Sequence, residues 1–298
     1  MKKTIVYILS TPYAGSHFLS LMLGSNSRSM HIGEVNQLAR ADLAARRDRC
    51  HICGDKDCPV LSGLGPDNID KVYDIIFGRI DPKVDVLVDN SKPARGWADR
   101  FLNDTRYDRK YIHLIRDPRA LIRRWIMRNA PSKQRKDRWK TMWKVIRSHP
   151  TLATSKLFSD QNFVYLYQWL VQNERITRMI QRHKFDATVV TYRDLAKETP
   201  MELKRLTEWI GLTYEPAQLE YWNVQHHGSQ KPEYEWVKEA KTTKHFDTRW
   251  KSFLKPEVAE QIANHPAVNA YLSSLGIKFN DEGLTQASEK SPYSLRCG

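Results

Sequence analysis

The sequence predicts an α/β fold: a central parallel sheet with helices on both faces. Three observations carry this. Short runs rich in β-branched and apolar residues alternate with helical spans along most of the chain. Each run ends in polar or small residues, and a helix follows. Val84-Asp-Val-Leu-Val88 is a strand whose apolar run suits burial in a parallel sheet.

Thr4 to Leu9 is the first strand. Ser10-Thr-Pro-Tyr13-Ala14-Gly15-Ser16-His17 follows as a turn of small residues, and Phe18 to Leu23 reads as a helix closed near Gly24. Strand, small-residue turn and helix is the layout of an anion-binding loop, in which backbone N–H groups and a helix N-terminus face negative charge. Gly15 allows close backbone approach, and Ser16 is placed to cap the helix. The phosphate-loop pattern G-x-x-x-x-G-K-[ST] is absent, so the loop lacks the lysine and the magnesium-binding hydroxyl of a nucleoside triphosphatase.

Glu34 opens a predicted helix to about Arg47, where an acid also complements the helix dipole. Cys50, Cys53 and Cys58 stand in a C-x2-C-x4-C spacing that suits zinc thiolates, yet no fourth ligand is evident in sequence, and reduced cysteines in a loop are the plainer reading. Ile69 to Ile80 has helical spacing. Lys92 follows the strand at 84–88 and is a functional candidate by position, since ligands of open α/β sheets sit beyond strand carboxyl ends.

Lys110 to Ile115 is the next strand. Arg116 ends it, Asp117 reads as an N-cap and Pro118 fits the first helical turn. His113, mid-strand, reads as a core histidine. From Arg119 to Arg147 there are eleven basic residues against the single acid Asp137, with Trp125, Trp139 and Trp143 interleaved. That stretch reads as a grip for single strands, an amphipathic surface helix or a wall facing an acidic substrate. Helix 160–184, strand 187–191 and helix 199–210, stopped by Gly211, follow. Gln225-His226-His227-Gly228 reads as a polar loop with no carboxylate or Cys near at ligand spacing. Helices near 256–264 and 266–275 close a single domain over 1–278, and 279–298 reads as a loose polar tail.

The chain has 298 residues, 41% of them hydrophobic, with 48 Lys and Arg against 34 Asp and Glu, a net +14. The surplus favours anionic partners. No helix-turn-helix, zinc-finger or RNP signature accompanies it, which argues against nucleic acid. The apolar stretch after Met1-Lys2-Lys3 breaks at Ser10, so no signal peptide is read, and no run reaches the roughly 20 apolar residues of a membrane span. A cytoplasmic protein is expected, and four cysteines make no disulfide scaffold.

In this order the pieces resemble the sulfotransferases that use 3′-phosphoadenosine 5′-phosphosulfate (PAPS). Tyr7-Ile-Leu-Ser with Gly15-Ser16-His17-Phe18-Leu19 is similar to the loop for the donor's 5′-phosphosulfate. Val88-Asp-Asn-Ser-Lys92 resembles an element of bacterial and tyrosylprotein-type members. Leu114-Ile-Arg116-Asp-Pro-Arg-Ala120 resembles the segment that holds the 3′-phosphate. Thr191-Tyr192-Arg-Asp-Leu195 with Trp209-Ile-Gly-Leu212, and Asp247-Thr-Arg-Trp250 with Leu254, resemble two later motifs. The Cys50-to-Cys58 loop also resembles one in bacterial members.

The resemblance implies a P-loop NTPase-like sulfotransferase fold and PAPS as donor, with no metal required and no metal ligands. Tyr13, Ala14, Gly15, Ser16, His17 and Phe18 would wrap the phosphosulfate. Arg116 and Arg124 would hold the 3′-phosphate, and Tyr192 would contact adenine. Glu34 would be the general base, with Lys92 and His17 as catalytic cations. The acceptor would carry a hydroxyl on an acidic glycan or a small molecule, with Trp125 or Trp139 stacking on sugars. Two residues depart from the pattern: Tyr13 stands where most members carry Lys or Arg, and Arg124 where Ser is usual. Tyr13 keeps open a nucleotide-binding module with little transfer. The charge alone keeps open a basic protein for nucleic acid or a membrane surface.

Overall fold

The computed structural model describes residues 2–40, 50, 58–91, 96–152, 160–228, 246–287 and 293. β1 (Thr4–Ser10) is buried along nearly its whole length and leads through the turn into α1 (Ser16–Leu23). β2 (Ser29–Gly33) comes next, then a short 3-10 turn at Val35–Gln37. A 3-10 segment (Pro66–Lys71) runs into α2 (Val72–Phe77), followed by β3 (Val86–Asp89) and α3 (Trp97–Arg100). β4 (Asp108–Ile115) precedes α4 (Pro118–Arg128) and α5 (Pro131–Ser148). After α6 (Gln161–His183) come β5 (Ala187–Thr191), α7 (Tyr192–Lys197) and α8 (Thr199–Ile210). A 3-10 segment (Pro216–Asn223) follows, then α9 (Trp250–Phe253), α10 (Pro256–Ala263), α11 (Pro266–Ser274), β6 (Ile277–Phe279) and β7 (Leu284–Gln286).

β1 to β5 form a central parallel sheet in the order β2-β3-β1-β4-β5, with helices around it. Thr4 pairs with Val86 and Tyr7 with Asp89, while β2 pairs with β3 from Ser29–Val86 to Gly33–Asp89 with a shift after His31. The predicted fold class holds. β2 is a strand that the sequence pattern does not reveal. Ser-Met-His-Ile-Gly has no apolar run, and its pairing with β3 defines it.

Local chemistry explains most boundaries. Asp117 caps α4 by accepting from Arg119 N at 2.8 Å, with Pro118 in the first turn. Gly211 closes α8 at φ 96°. The N-cap of α1 is Gly15, at φ 104°, and among the described residues no side chain caps the helix. Ser16 is the first helical residue, so the expected Ser16 cap is corrected. Gly24 is required by close approach, since a Cβ there would lie 2.3 Å from the His31 N of β2.

The chain divides into two compact units. The first comprises residues 1–9, 15–112 and 198–244, the second 10–14, 113–197 and 245–298. Ile5, Leu19, Ile32, Val35, Ile76, Leu87, Leu203 and Leu206 are buried in the first. The second has a core of Trp125, Leu166, Trp169, Leu170, Trp250, Tyr271 and Leu272.

Two further expectations change. The helix from Glu34 is a 3-10 turn within the described residues, and 41–49 lie outside them. The loose tail from 279 is ordered through 287: β7 pairs antiparallel with β6, and Asp194 accepts from Gln286 N and Thr285 Oγ1, each at 2.8 Å. A buried carboxylate that needs donors holds this hairpin down. No described helix is long and apolar enough to cross a membrane.

Candidate functional site

In the first unit the carboxyl ends of β2 and β3 run into Glu34 and Asn90, and the first turn of α1 carries His17. His17 Nε2 lies 3.3 Å from Glu34 Oε1, and the Asn90 side-chain amide is 2.9 Å from His17 Nδ1. If the amide donates to Nδ1, the neutral imidazole carries its proton on Nε2, facing the carboxylate. Gln37 Nε2 donates to the other Glu34 oxygen. The side chains of His17 and Glu34 are both mostly buried, so the structure brings together two of the three residues assigned to catalysis. The third, Lys92, lies outside the described residues. Asn90 is not a candidate by sequence, although it stands directly after β3.

The strand end beneath this group is rigid. Asp89 is fully buried and accepts from Tyr73 OH at 2.7 Å, Trp97 Nε1 at 2.9 Å and Ser91 N at 2.6 Å. Burial pushes its carboxyl up against the opposite pull of these donors. Ser91 Oγ in turn accepts from Asn36 N at 3.0 Å, which ties the turn after Glu34 to the end of β3. Phe18, on the same turn of α1 as His17, packs edge-on to Tyr221.

In the second unit Arg116 is the hub. Its Nη1 donates to the Tyr13 carbonyl at 2.9 Å, its Nη2 donates to Asp247 Oδ2 at 2.8 Å, and the guanidinium lies 4.2 Å over the Tyr192 ring. Its Nε is buried and has no partner among the described residues. Burial alone would raise the Asp247 carboxyl. The Arg249 hydrogen bonds and the Arg116 charge outweigh it and hold Asp247 at about 2. Tyr192 also stacks on Phe246, with the rings 5.9 Å apart at 26°. Arg116, Tyr192, Arg193, Phe246, Asp247 and Trp250 line a pocket. Asp247 and Phe246 are not site candidates by sequence. Asp247 stands in the D-x-R-W motif, which is the signal that could have found it.

Tyr13 is 40% exposed and takes φ 69°, a left-handed conformation that an aromatic residue rarely adopts. Arg116 holds the Tyr13 carbonyl, and the Arg124 guanidinium lies 5.2 Å from its ring centre. Ala14, beside it, is fully buried.

The basic stretch is not one wall. Arg119 is buried, paired with Asp117 at 2.7 Å and stacked 3.9 Å over Trp250. Trp125 is buried against Tyr165 and cannot stack on a sugar, so that expectation is corrected. Trp139 and Trp143, on α5, are 63% and 64% exposed.

A second cluster lies in the first unit. Cys58 Sγ is 3.3 Å from His227 Nδ1, and Cys50 Sγ accepts from Gly228 N at 3.3 Å. His226 is buried as well, with Nε2 2.7 Å from the Tyr221 carbonyl. Residues 225–228 form a loop, as read from the sequence, but His226 and His227 are buried in it, and the fold brings two cysteines to it that sequence spacing does not show. The cysteines are 169 or more residues away in sequence, and only the fold closes that distance. Cys53 lies outside the described residues.

No protein-family model and no curated protein matches the chain. Solved structures do. The sulfotransferase domain from the curacin biosynthetic pathway aligns at a TM-score of 0.55 with 17% identity, over 88% of this chain and 96% of that one. The sulfotransferase domain of the Synechococcus PCC 7002 olefin synthase gives 0.45 with 18% identity, over 87% and 94%. Mouse sulfotransferase SULT7A1, solved with PAP, gives 0.43 with 12% identity, over 90% and 86%. The first of these likenesses, over nearly the full length of both chains, shows that this chain has the sulfotransferase fold.

Proposed function

We propose that this protein is a PAPS-dependent sulfotransferase that moves a sulfuryl group to an acceptor hydroxyl. One observation carries the donor: the Arg116 guanidinium lies on the Tyr192 ring and keeps a buried Nε–H that no described residue accepts. Fixed positive charge beside an aromatic plate suits a nucleotide that carries an extra phosphate. Arg116 would bind the 3′-phosphate and Tyr192 would face adenine. Arg124 would add a second cation beside Tyr13. Ala14, Gly15, Ser16, His17 and Phe18 would surround the 5′-phosphosulfate.

The His17–Glu34 pair supports the chemistry. As the acceptor oxygen attacks sulfur, the bond from sulfur to the donor's phosphate oxygen breaks. Glu34 would take the acceptor's proton, and His17 Nε2–H, once turned from Glu34, would donate to charge developing on the transferred group. Tyr13 supplies no charge to the loop, so Lys92 would supply the cation. Lys92→Ala should then abolish most transfer, and Tyr13→Lys should partly restore it. A sulfuryl group carries less charge than a phosphoryl group, so positioning and electrostatic stabilisation suffice without a catalytic metal. We place the reaction in the cytoplasm, where PAPS and reduced cysteines would both be found.

Mass spectrometry of products from an acceptor panel with labelled PAPS tests the reading. The panel should include acidic glycans and small phenols or alcohols, because exposed Trp139 and Trp143 among basic residues suit a sugar acceptor. A sulfated product supports it. A selective thermal shift with PAP but no product from any acceptor would favour the second reading, a nucleotide-binding module, which the uncharged Tyr13 favours. A shift with DNA or anionic vesicles and none with PAP would overturn both.

A further inference from the structure

Cys50, Cys58 and His227 meet inside the first unit. The two sulfurs and a ring nitrogen of His227 all lie within 4.8 Å of one another, and all three residues are buried. A tetrahedral zinc with Zn–S near ~2.3 Å and Zn–N near ~2.0 Å sets ligand atoms roughly 3.5–3.8 Å apart. The 3.3 Å between Cys58 Sγ and His227 Nδ1 is close to that edge. Backbone donors already face the sulfurs: Gly228 N reaches Cys50 Sγ at 3.3 Å, and Leu61 N reaches Cys58 Sγ at 3.4 Å.

We propose that Cys50, Cys58 and His227 bind a zinc ion. Two thiolates and one imidazole are a soft, compact donor set that suits zinc over magnesium or calcium. The two thiolate charges cancel the charge of the ion, so the buried group is neutral overall. The described residues supply three ligands, and a fourth would close the tetrahedron of a structural site. Each cysteine is only 1% exposed, which argues against a nucleophilic role for either. The zinc is structural. It fastens the chain at 50 and 58 to the segment after Pro216–Asn223, and a clip between such distant positions restricts the unfolded chain most. This inference rests on the cluster alone and stands or falls apart from sulfuryl transfer.

The test uses the full chain, expressed in zinc-supplemented medium and purified under reducing conditions without chelator. Elemental analysis should find about one zinc per chain. Replacement by cobalt(II) should give a thiolate-to-cobalt charge-transfer band and the visible bands of a tetrahedral ion. Cys58→Ser and His227→Asn should each lose the zinc from the purified chain. If those variants do not fold, the cobalt spectrum of the unaltered chain decides, because it reports sulfur ligation directly. A folded, reduced chain that holds no zinc and takes up neither metal would overturn the proposal. So would a Cys50–Cys58 disulfide found by mass spectrometry in the chain isolated without reductant, or cobalt binding with no charge-transfer band.

Discussion

His113 makes a prediction whose size follows from its surroundings. It sits within β4, fully buried, with Nε2 3.2 Å from Asn173 Oδ1 and Nδ1 2.9 Å from Tyr293 OH. Asn173 accepts from Nε2–H and Tyr293 donates to Nδ1, so both ring nitrogens are satisfied in the neutral form. Burial pushes its pKa down to about 4, against a small opposite effect of Asn173. The unfolded value is about 6.5. The folded pKa is depressed, so protons bind the unfolded chain first. The neutral histidine's stability is therefore full above about pH 6.5 and is lost as pH falls toward 4. The loss is about 2 kcal/mol by pH 5 and about 3 kcal/mol by pH 4.

His113→Gln removes the titration and keeps an amide that can bond one partner. Urea unfolding from pH 8 to pH 5 should show the variant less stable at pH 8, but the gap to the native chain should narrow by about 2 kcal/mol at pH 5. Other groups titrate in both proteins and cancel in the difference. Parallel curves, or an NMR titration of His113 near its ordinary value, would refute the reasoning.

Three further outcomes are expected. Arg116→Ala should weaken PAP binding by roughly 1.5–3 kcal/mol more than binding of adenosine 5′-phosphate, read by calorimetry, with thermal unfolding as a control because Arg116 also bonds Asp247 and the Tyr13 carbonyl; equal losses would remove Arg116 from the 3′-phosphate. Glu34→Gln should cut transfer by about 10²–10⁴ with donor affinity nearly unchanged, and near-normal turnover would leave Glu34 only a partner of His17 and Gln37. Gly24→Ala should destabilise by about 1–3 kcal/mol or more, because a Cβ would meet the His31 backbone, and an unchanged denaturation midpoint would show that α1 and β2 can part without cost.

Local chemistry makes much of the fold legible in sequence. β1, β4 and β5 announce themselves by β-branched runs. α4 and α8 have ends written in Asp117-Pro118 and Gly211, because caps depend on neighbours within four residues. Arg116, Glu34 and His17 stand at strand ends or the first turn of a helix, positions that the sequence can mark as candidates. Other features depend on distant partners. Ser29–Gly33 is a strand only because β3 lies beside it. The hairpin at 277–286 is held by Asp194, some ninety residues earlier. Trp125 and Arg119 read as surface from composition, yet packing against Tyr165 and Trp250 buries them. Asp247 at Arg116, and His227 at Cys50 and Cys58, are likewise meetings that spacing cannot show. Periodicity and capping report interactions within a few residues, while charge pairing and metal-ligand geometry report distances in space, which the chain acquires only when it folds.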